Sequence, residues 1–123
     1  MYFCWVTLPV KDFKKSLDFY NGILGLPIHS KHEGEGMEMA MLGEENKPKI
    51  ELIELSDSPP KNFSSDITVG IATESMDSVR ELLKENNIPI SRGPISPNPD
   101  IQFIFVKDPD GYEVQLVEMK KQY

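Results

Sequence analysis

The chain has 123 residues, 39% hydrophobic and 27% charged, enough for one core built without disulfides or metals. Its formal net charge of −7 excludes general binding to nucleic acid or to an anionic membrane, since both require a basic footprint; one local cationic pocket stays compatible with it. Cys4 is the single cysteine, which excludes an intrachain disulfide and a thiolate zinc cluster.

Tyr2–Val10 is rich in aromatic and β-branched residues and reads as a strand. It has neither the basic lead nor the continuous apolar run of a signal peptide, and no later segment is long enough to span a bilayer, so a cytoplasmic location is expected. Asp12 offers an N-cap to a helix running to about Ile23, ended by Gly22 and Gly25, with Phe13, Leu17, Tyr20 and Leu24 as its inward stripe. Leu26–His32, Met37–Leu42 and Lys49–Leu55 read as strands, with a turn at Glu33–Gly36. Ser56–Ser65 contains Pro59-Pro60 and few apolar groups, and reads as a connector. Asp66–Thr73 is a strand, Ser75 caps a helix through about Asn87, Ile88–Ile90 begins a short strand, and Gly93–Asp100 reads as an exposed loop. The chain then closes on two apolar strands joined by Asp108-Pro109-Asp110-Gly111, where Pro109 presets φ and Gly111 accepts a positive φ.

The halves repeat. Ile50-Glu-Leu-Ile-Glu-Leu55 matches Val114-Gln-Leu-Val-Glu-Met119, and Leu26-Pro-Ile28 matches Ile88-Pro-Ile90, at a displacement of about 63 residues. A duplicated βαβββ unit explains the order and spacing together. The expected division is module 1 at about 1–55, a connector at about 56–65 and module 2 at about 66–123.

On this paired unit, Val10-Lys-Asp-Phe13, Ser16-Leu-Asp-Phe-Tyr20, Leu24-Gly-Leu26 and Phe105-Val-Lys-Asp-Pro-Asp-Gly111 resemble the vicinal oxygen chelate superfamily. That family contains the glyoxalases, bleomycin-resistance proteins and extradiol dioxygenases, and the likeness covers nearly the whole chain. It implies an α+β fold in which residues 1–123 form a single domain. Two tandem βαβββ modules would curl into a partly open, barrel-like cleft with helices outside. It also implies a homodimer. In metal-dependent glyoxalase-type members, four side chains from the first and last strands of each unit hold a divalent ion. The matching positions are Trp5, Glu51, Thr68 and Gln115, and the repeat pairs Trp5 with Thr68 and Glu51 with Gln115. Where the resemblance leads one to expect His, Glu, His, Glu, only Glu51 is kept. An indole nitrogen offers no lone pair to a cation, and a hydroxyl and an amide are weak neutral donors. No tightly held metal is expected.

The remaining candidates each carry two readings. Glu51 is a general base, its pKa raised by an apolar setting beside Trp5, or a member of a buried polar cluster with Gln115 or Thr68. Met37, Met39 and Met41 share a strand face that is either core or a pliable ligand wall. Trp5, Phe103 and Phe105 stack on a planar ligand or fill a core. Arg92 anchors an anionic ligand or is solvated, and the proline-rich loop Pro94–Asp100 covers the cleft or merely connects. His29 and His32, three apart on a strand, are expected on opposite faces as surface residues. The expected function is binding of a small organic molecule at a degenerate metal site. The alternative is a lyase or isomerase resembling lactoylglutathione lyase, with Glu51 as base and nickel, zinc or iron in a rearranged site. A third reading is a structural or regulatory dimer whose cleft is plugged by its own side chains.

Overall fold

The structure is a computed structural model and describes residues 1–57 and 67–120. Most of the expected connector, and the Asp66 start of the strand after it, lie outside the described residues. The chain divides into two compact units, Met1–Asn62 and Phe63–Tyr123. Each is a four-stranded mixed sheet with a helical segment, so the fold is α+β and its repeat is βαβββ.

Unit 1 runs β1 (Trp5–Pro9), α1 (Phe13–Leu17), β2 (Ile28–Gly34), β3 (Met37–Leu42) and β4 (Lys49–Leu55), in sheet order β1-β4-β3-β2. The parallel β1–β4 pair lies between edge and centre, and β1 is an edge, which is where a proline such as Pro9 is tolerated. Asp12 caps α1 by accepting the Lys15 N–H at 3.2 Å. Past Leu17 the helix widens into π-helical turns over Asp18–Ile23, with the Leu24 N–H reaching back to the Phe19 carbonyl. Ser16 and Phe19 are buried beside Phe13 and Tyr20, while Leu17 and Leu24 stay half-buried. Leu8, Val10, Ala40, Leu42, Ile50 and Leu52 are buried as well and form the core of the unit. Tyr2–Cys4, expected inside the first strand, precede it and are exposed.

Unit 2 runs β5 (Thr68–Thr73), α2 (Met76–Glu85), β6 (Arg92–Asn98), β7 (Ile101–Lys107) and β8 (Glu113–Met119), in sheet order β5-β8-β7-β6. Ser75 caps α2 through the Ser78 N–H at 3.2 Å. The closing turn forms as its sequence dictates: Asp108 Oδ1 accepts the N–H groups of Asp110 and Tyr112, and Gly111 sits at φ +90°. One expectation is corrected here. Ile88–Ile90 is not a strand, and the proline-rich segment read as a loop is β6. Its prolines are admitted because β6 is an edge and its pairing with β7 is interrupted by register shifts. Gly93, at φ +100°, lets the strand pass β7, where a Cβ would stand 3.0 Å from the Phe103 carbonyl oxygen.

Candidate ligand-binding site

Strand alternation sorts each sheet into a face toward its helix and a face away from it. In unit 1 the away face carries Trp5 and Thr7 of β1, Met37, Met39 and Met41 of β3, and Lys49, Glu51 and Ile53 of β4. The register sets Met41 opposite Glu51, Met39 opposite Ile53 and Met37 opposite Leu55, and all three methionines are half-buried. Trp5 is 48% exposed. Glu51 is half-buried and pairs with Thr7, whose hydroxyl donates to Glu51 Oε1 at 2.8 Å.

The away face of unit 2 carries Thr68, Gly70, Phe103, Phe105, Glu113 and Gln115. The Thr68 hydroxyl donates to Glu113 Oε1 at 2.7 Å. Arg92, opposite Phe105 in the register, donates from Nη2 to the same oxygen at 3.0 Å and lies 3.8 Å above the Phe105 ring. The Thr68 hydrogen bond, with the Arg92 guanidinium beside it, holds the Glu113 carboxyl below the usual carboxylate range. Phe103 meets Phe105 edge-on at 5.5 Å. Gln115 faces Gly70, where a Cβ would come 3.8 Å from the amide oxygen.

Three expectations change. The hydroxyl partner of Glu51 is Thr7, and the Thr68 hydroxyl donates to Glu113, so each unit carries its own threonine–glutamate pair, neither of which was expected from the sequence. Arg92 is not simply solvated; Glu113 and Phe105 hold it. His29 and His32 are exposed but do not alternate, because the β2–β3 register shifts between Ile28 and Ser30. The extra residue restores His32 to the Met39 side, while His29 lines a groove with Trp5 and Met41.

Sequence reasoning passed over Thr7, Lys49 and Glu113. Lys49 and Glu113 occupy equivalent positions of the repeat, each buried, each next but one before Glu51 and Gln115. A polar pair at that offset was the available signal. Glu54 and Glu118 are a second such pair. The first accepts the Phe13 N–H at 2.7 Å and the second the Met76 N–H at 2.6 Å, each from the last strand of its unit onto the first turn of its helix.

A family model described as the glyoxalase/bleomycin resistance protein/dioxygenase superfamily matches residues 3–116. The chain belongs to this superfamily. A lactoylglutathione lyase of Escherichia coli O157:H7 is 27% identical over 92% of this chain and 89% of its own length. A lactoylglutathione lyase of Salmonella typhimurium is 28% identical over 92% and 89%. Among solved structures, the trypanothione-dependent glyoxalase I of Leishmania major superposes with a TM-score of 0.79 at 21% identity, covering 96% of this chain and 86% of that one. TnmS3, an antibiotic-binding protein from Streptomyces sp. CB03234, gives 0.71 at 20% identity over 97% and 96%.

At the four positions that the resemblance matched to metal ligands, taken unit by unit, the donor types present do not suit a tightly held divalent ion. Trp5 presents an indole N–H with no lone pair for a cation, Gln115 a neutral amide, and Thr68 a neutral hydroxyl, a weak donor, whose proton goes to Glu113. Glu51 alone brings charge, and one of its oxygens already receives the Thr7 hydroxyl. Among the described residues, no group of three or more His, Cys, Asp or Glu side chains is placed to hold an ion. No helix among them is long and apolar enough to cross a membrane.

Proposed function

We propose that this superfamily member binds a small organic molecule and does so without a tightly held metal. The observation that carries the reading is the exposed indole of Trp5, on a sheet face that no helix of its own unit covers. Met37, Met39 and Met41 supply adaptable apolar contact beside it, and Glu51 fixes a polar group of the ligand. Within unit 2, Thr68, Gln115, Phe103, Phe105 and Arg92 lie on or beside its own away face, and we propose them as ligand contacts of that unit. Residues 1–123 act as one domain of the family, in keeping with a single family model that spans both units, and the protein works as a cytoplasmic homodimer. Screening a small-molecule library by thermal shift, with metal analysis of the purified protein, tests this. A saturable rise in melting temperature with metal-free protein is the expected result, and no rise with any compound would sink the reading.

The second reading is a lyase acting on the hemithioacetal of methylglyoxal and glutathione, with Glu51 as base. It is favoured by the similarity to lactoylglutathione lyases and by the survival of Glu51 at its matched position. Enolate chemistry also needs an electrophile to hold the developing charge, and this donor set does not hold a metal to supply it. Turnover restored by nickel or zinc, and abolished by Glu51→Gln, would establish the lyase instead.

A further inference from the structure

One groove of unit 1 has a lining unlike the rest of this acidic chain. It is an open groove of about 450 Å³, within the range of small-molecule sites, and its lining includes Tyr2, Phe3, Trp5, His29, Met41 and Lys49. Lys47 also lines it, and among the described residues no aspartate or glutamate does, although the chain has 20 acidic residues against 13 basic. Lys47 is exposed and already paired with Glu44 at 3.2 Å. Lys49 differs. It is only 8% exposed, and its ammonium donates to the backbone carbonyls of Glu44 and Lys47. Among the described residues it makes no ion pair. Two of its three donors are used, both on neutral oxygens, so a nearly buried lysine belongs to the groove's lining with no carboxylate partner among the described residues. Gly43, at φ +135°, makes the room for this stem: a Cβ there would stand 3.1 Å from Lys49 Cδ.

We propose that the groove binds a flat aromatic carboxylate. Its ring would stack on Trp5, with Phe3 and Met41 beside it, and its carboxylate would be drawn to Lys49 and His29. This rests on the reading that the Trp5 face takes a small molecule, and it adds the chemical class and the place.

Trp5 is the single tryptophan, so its indole N–H gives one resonance in a nitrogen-15 correlation spectrum. Titration with 2-naphthoate is expected to move that resonance saturably. The neutral isostere 2-naphthamide should bind about tenfold more weakly or worse, and the non-planar decalin-2-carboxylate should bind more weakly than naphthoate. Lys49→Met should shrink the advantage of acid over amide; should that variant not fold, the acid–amide comparison on the unaltered protein decides. Equal affinity for acid and amide overturns the proposal. So does a naphthoate that raises the melting temperature without moving the indole, which places the ligand elsewhere and leaves small-molecule binding standing. If no compound in a broad panel changes melting or the spectrum, the underlying reading falls as well.

Discussion

Glu118 reaches from β8 to the helix of its own unit and accepts the backbone N–H of Met76 at 2.6 Å. Glu54 does the same for Phe13 at 2.7 Å, one repeat earlier. The first N–H groups of a helix have no partner within it, and its N-terminus carries partial positive charge, so a carboxylate there is doubly favourable. Each helix also has a local cap, Asp12 or Ser75, and the strand glutamate serves a different N–H. The two contacts tie each helix to the last strand of its sheet.

Glu118→Ala and Glu54→Ala are therefore expected to lower stability by about 1–2 kcal/mol each, measured by urea unfolding. Glu→Gln at either position should lose less, since an amide oxygen still accepts while the charge is gone. A neutral result for both alanine variants would show that the local caps suffice.

The lowered pKa of Glu113 sets a direction for acid stability. A carboxyl with a folded pKa below its unfolded value contributes stability that is present above the unfolded value and is lost as pH falls through the folded one. The unfolded reference lies near 4.5. Glu113→Gln should thus cost most near neutral pH and progressively less below about pH 4.5, where the parent protein loses the same interaction. Thr68→Val should show the same sign, because the hydroxyl bond is the leading cause of the shift. Melting temperatures across pH 3–7 read this, and a pH-independent difference would contradict it.

Two glycines with positive φ should respond differently to alanine. Gly111, at φ +90°, has open space around it, so Gly111→Ala costs only the backbone strain of about 1–2 kcal/mol. Gly93→Ala adds close approach to the Phe103 carbonyl oxygen at 3.0 Å and Ile104 Cα at 3.1 Å, both backbone atoms of β7. Its cost should exceed that of Gly111→Ala by at least about 1 kcal/mol, read from urea midpoints. Equal costs would mean that the edge strand shifts freely.

Nickel or zinc at about 0.1 mM should leave the melting temperature of the dialysed protein unchanged, since a carboxylate, an indole, an amide and a hydroxyl offer too little affinity to drive a shift. A rise of several degrees would reverse the account of the four matched positions.

The sequence alone determined the elements whose causes are local. Asp12 and Ser75 cap the helices they precede, Asp108–Gly111 makes the final reversal, and the apolar patterns of β3, β4, β7 and β8 fix which residues face a core. Repetition at a fixed displacement then supplied the βαβββ order. What it left undecided depends on which residue lies across from which. One added residue near His29 changes the side on which it lies, an edge position turns a proline-rich loop into β6, and register pairs Thr7 with Glu51 and Thr68 with Glu113. Lys49 and Arg92 found their partners in the same way, one on loop carbonyls and the other on a carboxylate and a ring. Register follows from how the apolar faces and turns of paired strands fit one another, and no single short window of sequence carries that information.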